Sequence, residues 1–315
     1  MQSSPKVTIV IPVYNGSNYM REAIDSALAQ TYENIEILVV NDGSKDGGKT
    51  RDIALAYGDK IRYFEKENGG VATALNLAIQ EMQGEYFSWL SHDDVYYPDK
   101  IQAEIEYLQK IGRDDVIVYS DQDYIDRDSK ITGTLKLEDC DPERFRPAFI
   151  CGGVISGCTL LIPRQCFGHS GTFNPAMRYT QDYDLWFRFT YAYKFHHISR
   201  CLVQSRQHPA QDSAKTNIPF IKECNHLHSG FLKKISFEEI KSCWPRSPGA
   251  YAIHFSSMML RYGYNRAALY GLSRAAIYFI RRPRMDVLPE LSTLLAVCKT
   301  KIPSPRQKLK MLFGK

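Results

Sequence analysis

The sequence lacks several features that mark common classes of protein. Its 8 cysteines include no Cys-x-x-Cys pair, which excludes a zinc knuckle and a thioredoxin-like redox motif. No apolar run reaches the roughly 18 residues that a membrane-spanning helix needs. No internal repeat or low-complexity tract is visible. The first residues lead directly into a strand-like run without a signal peptide, so we expect a cytosolic protein with reduced thiols.

Acidic residues are scarce towards one end of the 315-residue chain. Residues 241–315 contain 14 Lys and Arg against two acids, whereas residues 1–240 contain 26 basic and 33 acidic residues. The overall charge of +5 therefore hides a basic end of +12 and a body of −7. This asymmetry predicts that the basic end meets an anionic partner. A nucleic-acid partner is not expected, because no known nucleic-acid-binding module is visible.

Short apolar runs alternate with amphipathic stretches through the first two thirds of the chain. The first strand is predicted at 7–11 and is ended by Pro12, and Ser17 or Asn18 caps a helix that runs to about residue 30. Further strands are predicted at 35–40, 61–64, 86–90, 116–119, 154–162 and 195–203. Further helices are predicted at 49–57, 71–82, 100–111 and 184–193. This order predicts an α/β fold with a mostly parallel open sheet flanked by helices.

A cluster of prolines between residues 209 and 248 marks a change to helical character. We therefore predict an α/β domain over residues 1–215 and a basic helical appendage over residues 216–315. In a helix at 264–282, Arg266, Arg274 and Arg281 fall within about 80° of one another. Two interpretations stay open. The helix lies on an anionic membrane surface, or it packs on the α/β domain and turns its basic face to solvent.

Polar loops follow the first four predicted strands. They contain Pro12-Val13-Tyr14-Asn15-Gly16, Asn41-Asp42-Gly43-Ser44, Asn68-Gly69-Gly70 and Ser91-His92-Asp93-Asp94. In open α/β sheets, ligands bind outside the carboxyl ends of the strands, so these loops are expected to converge. Each loop alone is a common turn sequence. Together they supply an aromatic ring, three carboxylates and a glycine pair, which indicates a binding site.

These loops lie within two segments that resemble glycosyltransferase family 2. The segments are VTIVIPVYNGSNYMREAIDSALAQTYENIEILVVNDGSKDG and ENGGVATALNLAIQEMQGEYFSWLSHDDVYYPDKI. The resemblance is strong over about residues 6–110 and extends to about residue 212. It implies a GT-A fold and the transfer of a sugar from a nucleotide-sugar donor, with inversion at the anomeric carbon.

The resemblance also implies roles for individual donor-binding residues. Pro12 and Tyr14 match positions that pack against the nucleotide base, and Asp42 matches the aspartate that accepts hydrogen bonds from it. Gly70 matches a position that meets the donor. In the segment Ser205-Arg206-Gln207-His208, Arg206 and His208 match residues that face the donor phosphates or the metal.

Asp93 and Asp94 match the acidic metal motif of the family. A hard divalent ion, Mg²⁺ or Mn²⁺, would be held there by carboxylates and phosphates, with His208 as a further ligand. Ser91 stands at the first aspartate position of the usual Asp-x-Asp form. Asp93 is therefore the expected direct ligand, and Asp94 is the second.

Asp182 matches the catalytic base, which takes a proton from the acceptor hydroxyl. The preceding Gln181 replaces an acid of the family motif, and a helix cap is the alternative role for Asp182. The resemblance further implies a role in capsule or O-antigen assembly, and we expect a UDP- or dTDP-sugar donor. With the basic amphipathic helix, it leads us to expect a cytoplasmic enzyme that can lie at the inner face of the plasma membrane. Its acceptor would be a saccharide or a lipid-linked saccharide. The alternative function is a non-catalytic nucleotide-sugar-binding or scaffold protein. A nucleotidyltransferase would need a Gly-rich loop after the first strand, where Pro12-Val13-Tyr14-Asn15 stands instead.

Overall fold

A computed structural model describes residues 4–151, 155–208, 218–244 and 246–281, together with Ser292 and Leu295. The chain divides into two compact units. The first comprises Met1–Asp139 and Ile155–Pro209, and the second comprises Cys140–Val154 and Ala210–Lys315. The chain thus passes between the units at three points, whereas the sequence predicted one boundary after residue 215.

The strands all belong to the first unit. They are β1 (Val7–Val13), β2 (Ile35–Asn41), β3 (Arg62–Glu65), β4 (Tyr86–Trp89), β5 (Val95–Tyr96), β6 (Ile117–Ile125), β7 (Ile131–Leu135), β8 (Leu160–Pro163) and β9 (Phe195–Arg206). The helices are α1 (Met20–Leu28), α2 (Lys49–Leu55), α3 (Val71–Glu81), α4 (Lys100–Ile111), α5 (Phe145–Ile150), α6 (Gln165–Ser170), α7 (Gln181–Phe189), α8 (Ile218–Lys234), α9 (Phe237–Cys243), α10 (Pro248–Tyr262) and α11 (Asn265–Arg281). Helices α5 and α8–α11 belong to the second unit.

One sheet runs in the order β3-β2-β1-β4-β8-β6-β9-β5, and β7 pairs with β6. The α/β fold with helices around an open sheet is therefore confirmed. Strands β1–β4 pair in parallel, as predicted, and so do β6 and β9. The β4–β8, β5–β9, β6–β7 and β6–β8 pairs are antiparallel. The predicted parallel arrangement therefore holds over β1–β4, and the sheet is mixed beyond β4, where β6 and β9 alone among the described pairs are parallel.

The order β3-β2-β1-β4 places a topological switch point at β1. The connection after β1 leads to β2 on one side, and β4 pairs on the other side. In open α/β sheets the ligand crevice lies at such a switch point, outside the carboxyl ends of the strands. All residues of β1 and β4 are buried, so this crevice is framed by a rigid apolar core.

The sequence predicted that Pro12 ends the first strand, but β1 continues to Val13. The Val10 carbonyl accepts from Leu90 N–H on the β4 side, and the Val13 carbonyl accepts from Asp42 N–H on the β2 side. The main-chain groups of successive residues in β1 point alternately towards β4 and towards β2, so those of Pro12 point towards β4. The pairing with β4 ends at Val10, and the missing N–H of Pro12 therefore breaks no ladder bond.

Two helix starts also differ from the prediction. Neither Ser17 nor Asn18 caps α1, because α1 begins at Met20, and the main-chain N–H of Met20 bonds to the Gly16 carbonyl at 3.1 Å. Helix α7 begins at Gln181 rather than at residue 184. The second shift places Asp182 in the first turn of α7.

In the second unit, α10 and α11 pack through small residues. Ala252, Ile253 and Ala275 form a buried cluster on which Phe279 lies. Arg274 does not join an exposed basic face, because its guanidinium donates to the Leu232 carbonyl at 2.8 Å. Among the residues that the structure describes, no helix combines the length and the hydropathy needed to cross a membrane.

Candidate active site

The loops after β1 and β2 are tied together where the sheet ends. Asn15 N–H donates to Ser44 Oγ at 2.9 Å, and Lys45 N–H donates to Asn15 Oδ1 at 2.7 Å. Gly16 is needed because a Cβ there would lie 2.3 Å from Val13 Cγ2 and 2.6 Å from His92 Cδ2. The β1 and β4 loops therefore touch at Gly16.

Tyr14 and Pro12 occupy different environments in this wall of the crevice. Tyr14 is 44% exposed, so its ring face is free to receive a planar group. Pro12 is buried within the strand. Tyr14 is therefore the better placed of the two for contact with a nucleotide base.

Asp42 organises the loop that leads into α3. Its carboxylate is almost completely buried and accepts four hydrogen bonds. Oδ1 accepts from Lys66 Nζ at 2.6 Å and Gly69 N–H at 3.0 Å, and Oδ2 accepts from Gly70 N–H at 2.7 Å and Asn68 Nδ2 at 3.2 Å. These bonds use the carboxylate lone pairs, so direct recognition of a base by Asp42 would require one of them to open.

Lys66 belongs to this loop but was missed in the sequence analysis. Its ammonium donates to Asp42, to Thr73 Oγ1 at 2.8 Å and to the Glu67 carbonyl. The available signal was a cation two residues before Asn68-Gly69-Gly70, at the carboxyl end of β3. Gly70 has φ 87°, in the left-handed region that favours glycine, where it begins α3.

Asp93 and His208 face each other across the end of the sheet. Asp93 Oδ2 lies 3.0 Å from His208 Nε2, and the two side chains are 12% and 11% exposed. A carboxylate oxygen and an imidazole nitrogen suit Mg²⁺ or Mn²⁺, which take one or two protein ligands and complete their shell with phosphate and water. The residues therefore fit the proposed ion, although the described residues contain no group of three such side chains that could hold a metal alone.

Asp94 points inward, away from this pair. It is 5% exposed, and Oδ1 accepts from Arg206 N–H at 2.8 Å. Burial, followed by the charge of Asp93, raises the pKa of Asp94 to about 7. Its burial and its bond from Arg206 N–H leave Asp94 less accessible to an ion than Asp93. Asp93 is therefore better suited to direct coordination.

The serine at the first position of the acidic motif has a local partner. Ser91 Oγ lies 3.2 Å from Cys158 Sγ, and Ser91 N–H also contacts that sulfur at 3.3 Å. The neighbouring Gly157 allows close approach, because a Cβ there would lie 2.4 Å from the Trp89 ring. These contacts fix the loop in which Asp93 stands.

Arg206 lies at the end of β9 and is completely buried. Its Nε donates to the Asp93 main-chain carbonyl at 2.8 Å, in addition to the bond from its N–H to Asp94. The structure thus brings Arg206 and His208 together with both acids of the motif. The guanidinium is turned into the protein rather than to solvent, so its predicted contact with donor phosphates stays a prediction.

Asp182 lies in the first turn of α7, one position after the start of the helix. Its Oδ1 accepts from Tyr183 N–H at 2.8 Å, while Thr180 occupies the cap position. Gln181 is buried, and its Oε1 has no hydrogen-bond partner in the described structure. Asp184 on the same helix pairs with Arg188 at 2.9 Å. Asp182 therefore does not act as the cap of this helix.

Comparison with known proteins adds the family. The family model described as glycosyl transferase family 2 matches residues 8–169. An uncharacterized glycosyltransferase of Rickettsia felis is 51% identical over 239 residues, which cover 75% of this chain and 40% of that protein. One from Rickettsia typhi is 52% identical over 243 residues, which cover 75% of this chain and 74% of that protein. The chain thus spans about two fifths of the R. felis relative.

Solved structures share the fold. S. aureus TarS 1-349 in complex with UDP-GlcNAc matches with a TM-score of 0.55 and 15% identity, over 90% of this chain and 95% of that chain. A mannosyltransferase of Pyrobaculum calidifontis, solved with GDP-Man and Mn²⁺, matches with a TM-score of 0.57 and 15% identity, over 99% of this chain and 84% of that chain. The sheet, the crevice and these comparisons agree, and the chain belongs to glycosyltransferase family 2 with a GT-A fold.

Proposed function

We propose that this glycosyltransferase moves a hexose from a UDP- or dTDP-sugar to a hydroxyl group, with inversion and with the help of Mg²⁺ or Mn²⁺. The observation that carries this proposal is the pairing of Asp93 with His208 at 3.0 Å beside the crevice at β1. Carboxylate and imidazole donors at the carboxyl ends of strands suit an ion that binds together with a diphosphate. The Mn²⁺ complex of the mannosyltransferase supports the same choice.

The site residues would have separate roles in donor binding, proton transfer and metal binding. Tyr14 receives the base, and the Asp42-held loop at Gly70 positions the donor. Asp182 accepts the proton of the acceptor hydroxyl. At the same time the hydroxyl oxygen bonds to the anomeric carbon, and the bond from that carbon to the diphosphate oxygen breaks. When bound at Asp93 and His208, the divalent ion supplies Lewis-acid stabilisation of the negative charge on the departing diphosphate.

A role in cell-surface polysaccharide assembly, such as capsule or O-antigen, fits this chemistry, because such assembly joins sugars to saccharide or lipid-linked acceptors. We place the protein in the cytoplasm, at the inner face of the plasma membrane. A non-catalytic nucleotide-sugar-binding or scaffold protein is the second candidate. It is favoured by Ser91, which contacts Cys158, and by Gln181, which brings no charge beside Asp182.

Contact with the membrane is supported by α11. Leu269, Ile277 and Ile280 are 66%, 46% and 82% exposed, and at 100° per residue they share one face with Arg266 and Arg281. The helix contains no acidic residue, so this face suits an anionic lipid surface. Co-sedimentation with vesicles that contain phosphatidylglycerol is expected, and equal recovery with purely neutral vesicles contradicts this contact.

A thermal-shift panel tests the donor site. UDP, dTDP, GDP and CMP are each added with and without Mn²⁺. A ligand at about 100 times its dissociation constant stabilises the folded state by about 2.7 kcal/mol, which raises the melting temperature by roughly 5–10 °C. We expect this shift for UDP or dTDP with Mn²⁺. No shift with any nucleotide contradicts the donor site and favours a scaffold protein that binds no nucleotide.

A further inference from the structure

The buried guanidinium of Arg206 bonds to the loop after β4, to the β6–β7 turn and to helix α1. Nε bonds to the Asp93 carbonyl, and Nη1 donates to the Asp126 carbonyl and to Ser129 Oγ, both at 3.0 Å. Nη2 donates to Glu22 Oε2 at 2.7 Å. A planar guanidinium holds its donors in one fixed fork, so it cannot turn away from one of these partners without disturbing the others.

Glu22 supplies a carboxylate to this set of partners. It lies in the first turn of α1 and also accepts from Ser129 Oγ at 2.8 Å. Its side chain is 47% exposed, whereas that of Arg206 is fully buried. The Tyr19 ring lies 4.3 Å from the guanidinium and covers one of its faces. Glu22 thus reaches from the rim of the loop cluster to a charge that lies inside it.

We propose that Glu22 is a positioning residue for the metal motif. Through Arg206 it fixes the main chain at Asp93, and it thereby sets the direction in which the Asp93 carboxylate faces His208. This inference rests on the proposed function, because it takes Asp93 as a metal ligand. Arg206 then serves the site by holding the acidic motif rather than by binding phosphate.

Ser129 strengthens this assignment. It has φ 61°, a left-handed conformation that is uncommon for a residue other than glycine. The left-handed residue belongs to the tight turn that joins β6 to β7. This turn places the Ser129 hydroxyl between Glu22 and Arg206, where it accepts from Arg206 Nη1 and donates to Glu22 Oε2.

The test measures Mn²⁺ affinity in the presence of saturating UDP, from the electron paramagnetic resonance signal of free Mn²⁺. Loss of an outer-shell partner typically lowers metal affinity about 10–100-fold, and we expect at least a tenfold loss for Glu22→Ala. Glu22→Gln keeps an acceptor for Nη2, so its affinity should fall between those of wild type and Glu22→Ala. Glu106→Ala removes an exposed glutamate from α4 and is expected to match wild type.

The melting temperatures of the metal-free variants separate positioning from stability. A merely structural role for Glu22 lowers the melting temperature and leaves the Mn²⁺ affinity of the folded protein unchanged. If both Glu22 variants bind Mn²⁺ with wild-type affinity while Asp93→Asn loses affinity, the positioning role is overturned and the metal site is not. Failure of the unaltered protein to bind Mn²⁺ with UDP overturns both this role and the metal-assisted function. If Glu22→Ala does not fold, the test uses Glu22→Gln. We then expect Glu22→Gln to bind Mn²⁺ more weakly than wild type, and equal Mn²⁺ affinity overturns the positioning role.

Discussion

Replacing Asp182 by Asn is expected to reduce the rate of sugar transfer by about 10²–10⁴-fold. The amide cannot accept the acceptor proton, whereas the side chain keeps its size and its bond from Tyr183 N–H. The loss should appear in kcat rather than in the KM for the donor, because the base acts on the acceptor hydroxyl. The measurement is initial-rate kinetics with the donor that the thermal-shift panel identifies.

Asp52→Asn is the matched control for this variant. Asp52 is likewise an aspartate in the first turn of a helix, α2, although it is more exposed than the half-buried Asp182, and we assign it no role in the reaction. Its transfer rate should equal that of wild type. Transfer by Asp182→Asn at more than a tenth of the wild-type rate would remove Asp182 as the base.

The second large effect concerns stability and a charged pair in the core. Lys100 and Glu104 on α4 are both completely buried, and Lys100 Nζ lies 2.8 Å from each Glu104 oxygen and 3.1 Å from Ser88 Oγ. Burial raises the pKa of Glu104 to about 7 and lowers that of Lys100, and in each residue it outweighs the opposing attraction of the partner. The pair therefore costs free energy to bury, and each charge depends on the other.

Glu104→Ala leaves the ammonium of Lys100 buried without its partner. We expect a loss of about 3–5 kcal/mol in the free energy of unfolding, seen as a fall of roughly 10 °C in melting temperature. The double variant Lys100→Met with Glu104→Leu should recover most of this loss, because a well-packed apolar pair carries no desolvation cost. If the single variant is as stable as the double variant, the buried charge is not what destabilises it.

Much of the fold was readable from local patterns. The helix predicted at 100–111 is α4 as observed, because its apolar stripe and Gly112 at its end are both local signals. The first four strands were also recognised, and β1 is a continuous apolar run, as expected of a fully buried parallel strand. The strands predicted at 116–119, 154–162 and 195–203 correspond to β6, β8 and β9, but their directions were not predicted, because direction depends on distant partners.

The candidate site could be predicted only in part, because its geometry also depends on contacts between residues that are distant in sequence. Motif residues such as Asp93 and His208 were found by resemblance, and the structure then brought them together across 115 positions in sequence. Glu22 carried no signal, because an exposed acid on a helix resembles any solvated residue. The burial of Arg206 was equally hidden, since it depends on carbonyls from two separate loops and on the Glu22 side chain of α1.

The most direct test of the account is the Mn²⁺-dependent part of the thermal shift with UDP or dTDP, compared between wild type and Asp93→Asn. The account predicts that wild type gains several degrees when Mn²⁺ is added to the nucleotide, and that Asp93→Asn gains almost none. His208→Ala should lose most of the same increment. An equal Mn²⁺-dependent shift in wild type and Asp93→Asn would contradict the account, because the ion would then bind without the carboxylate on which the proposed site depends.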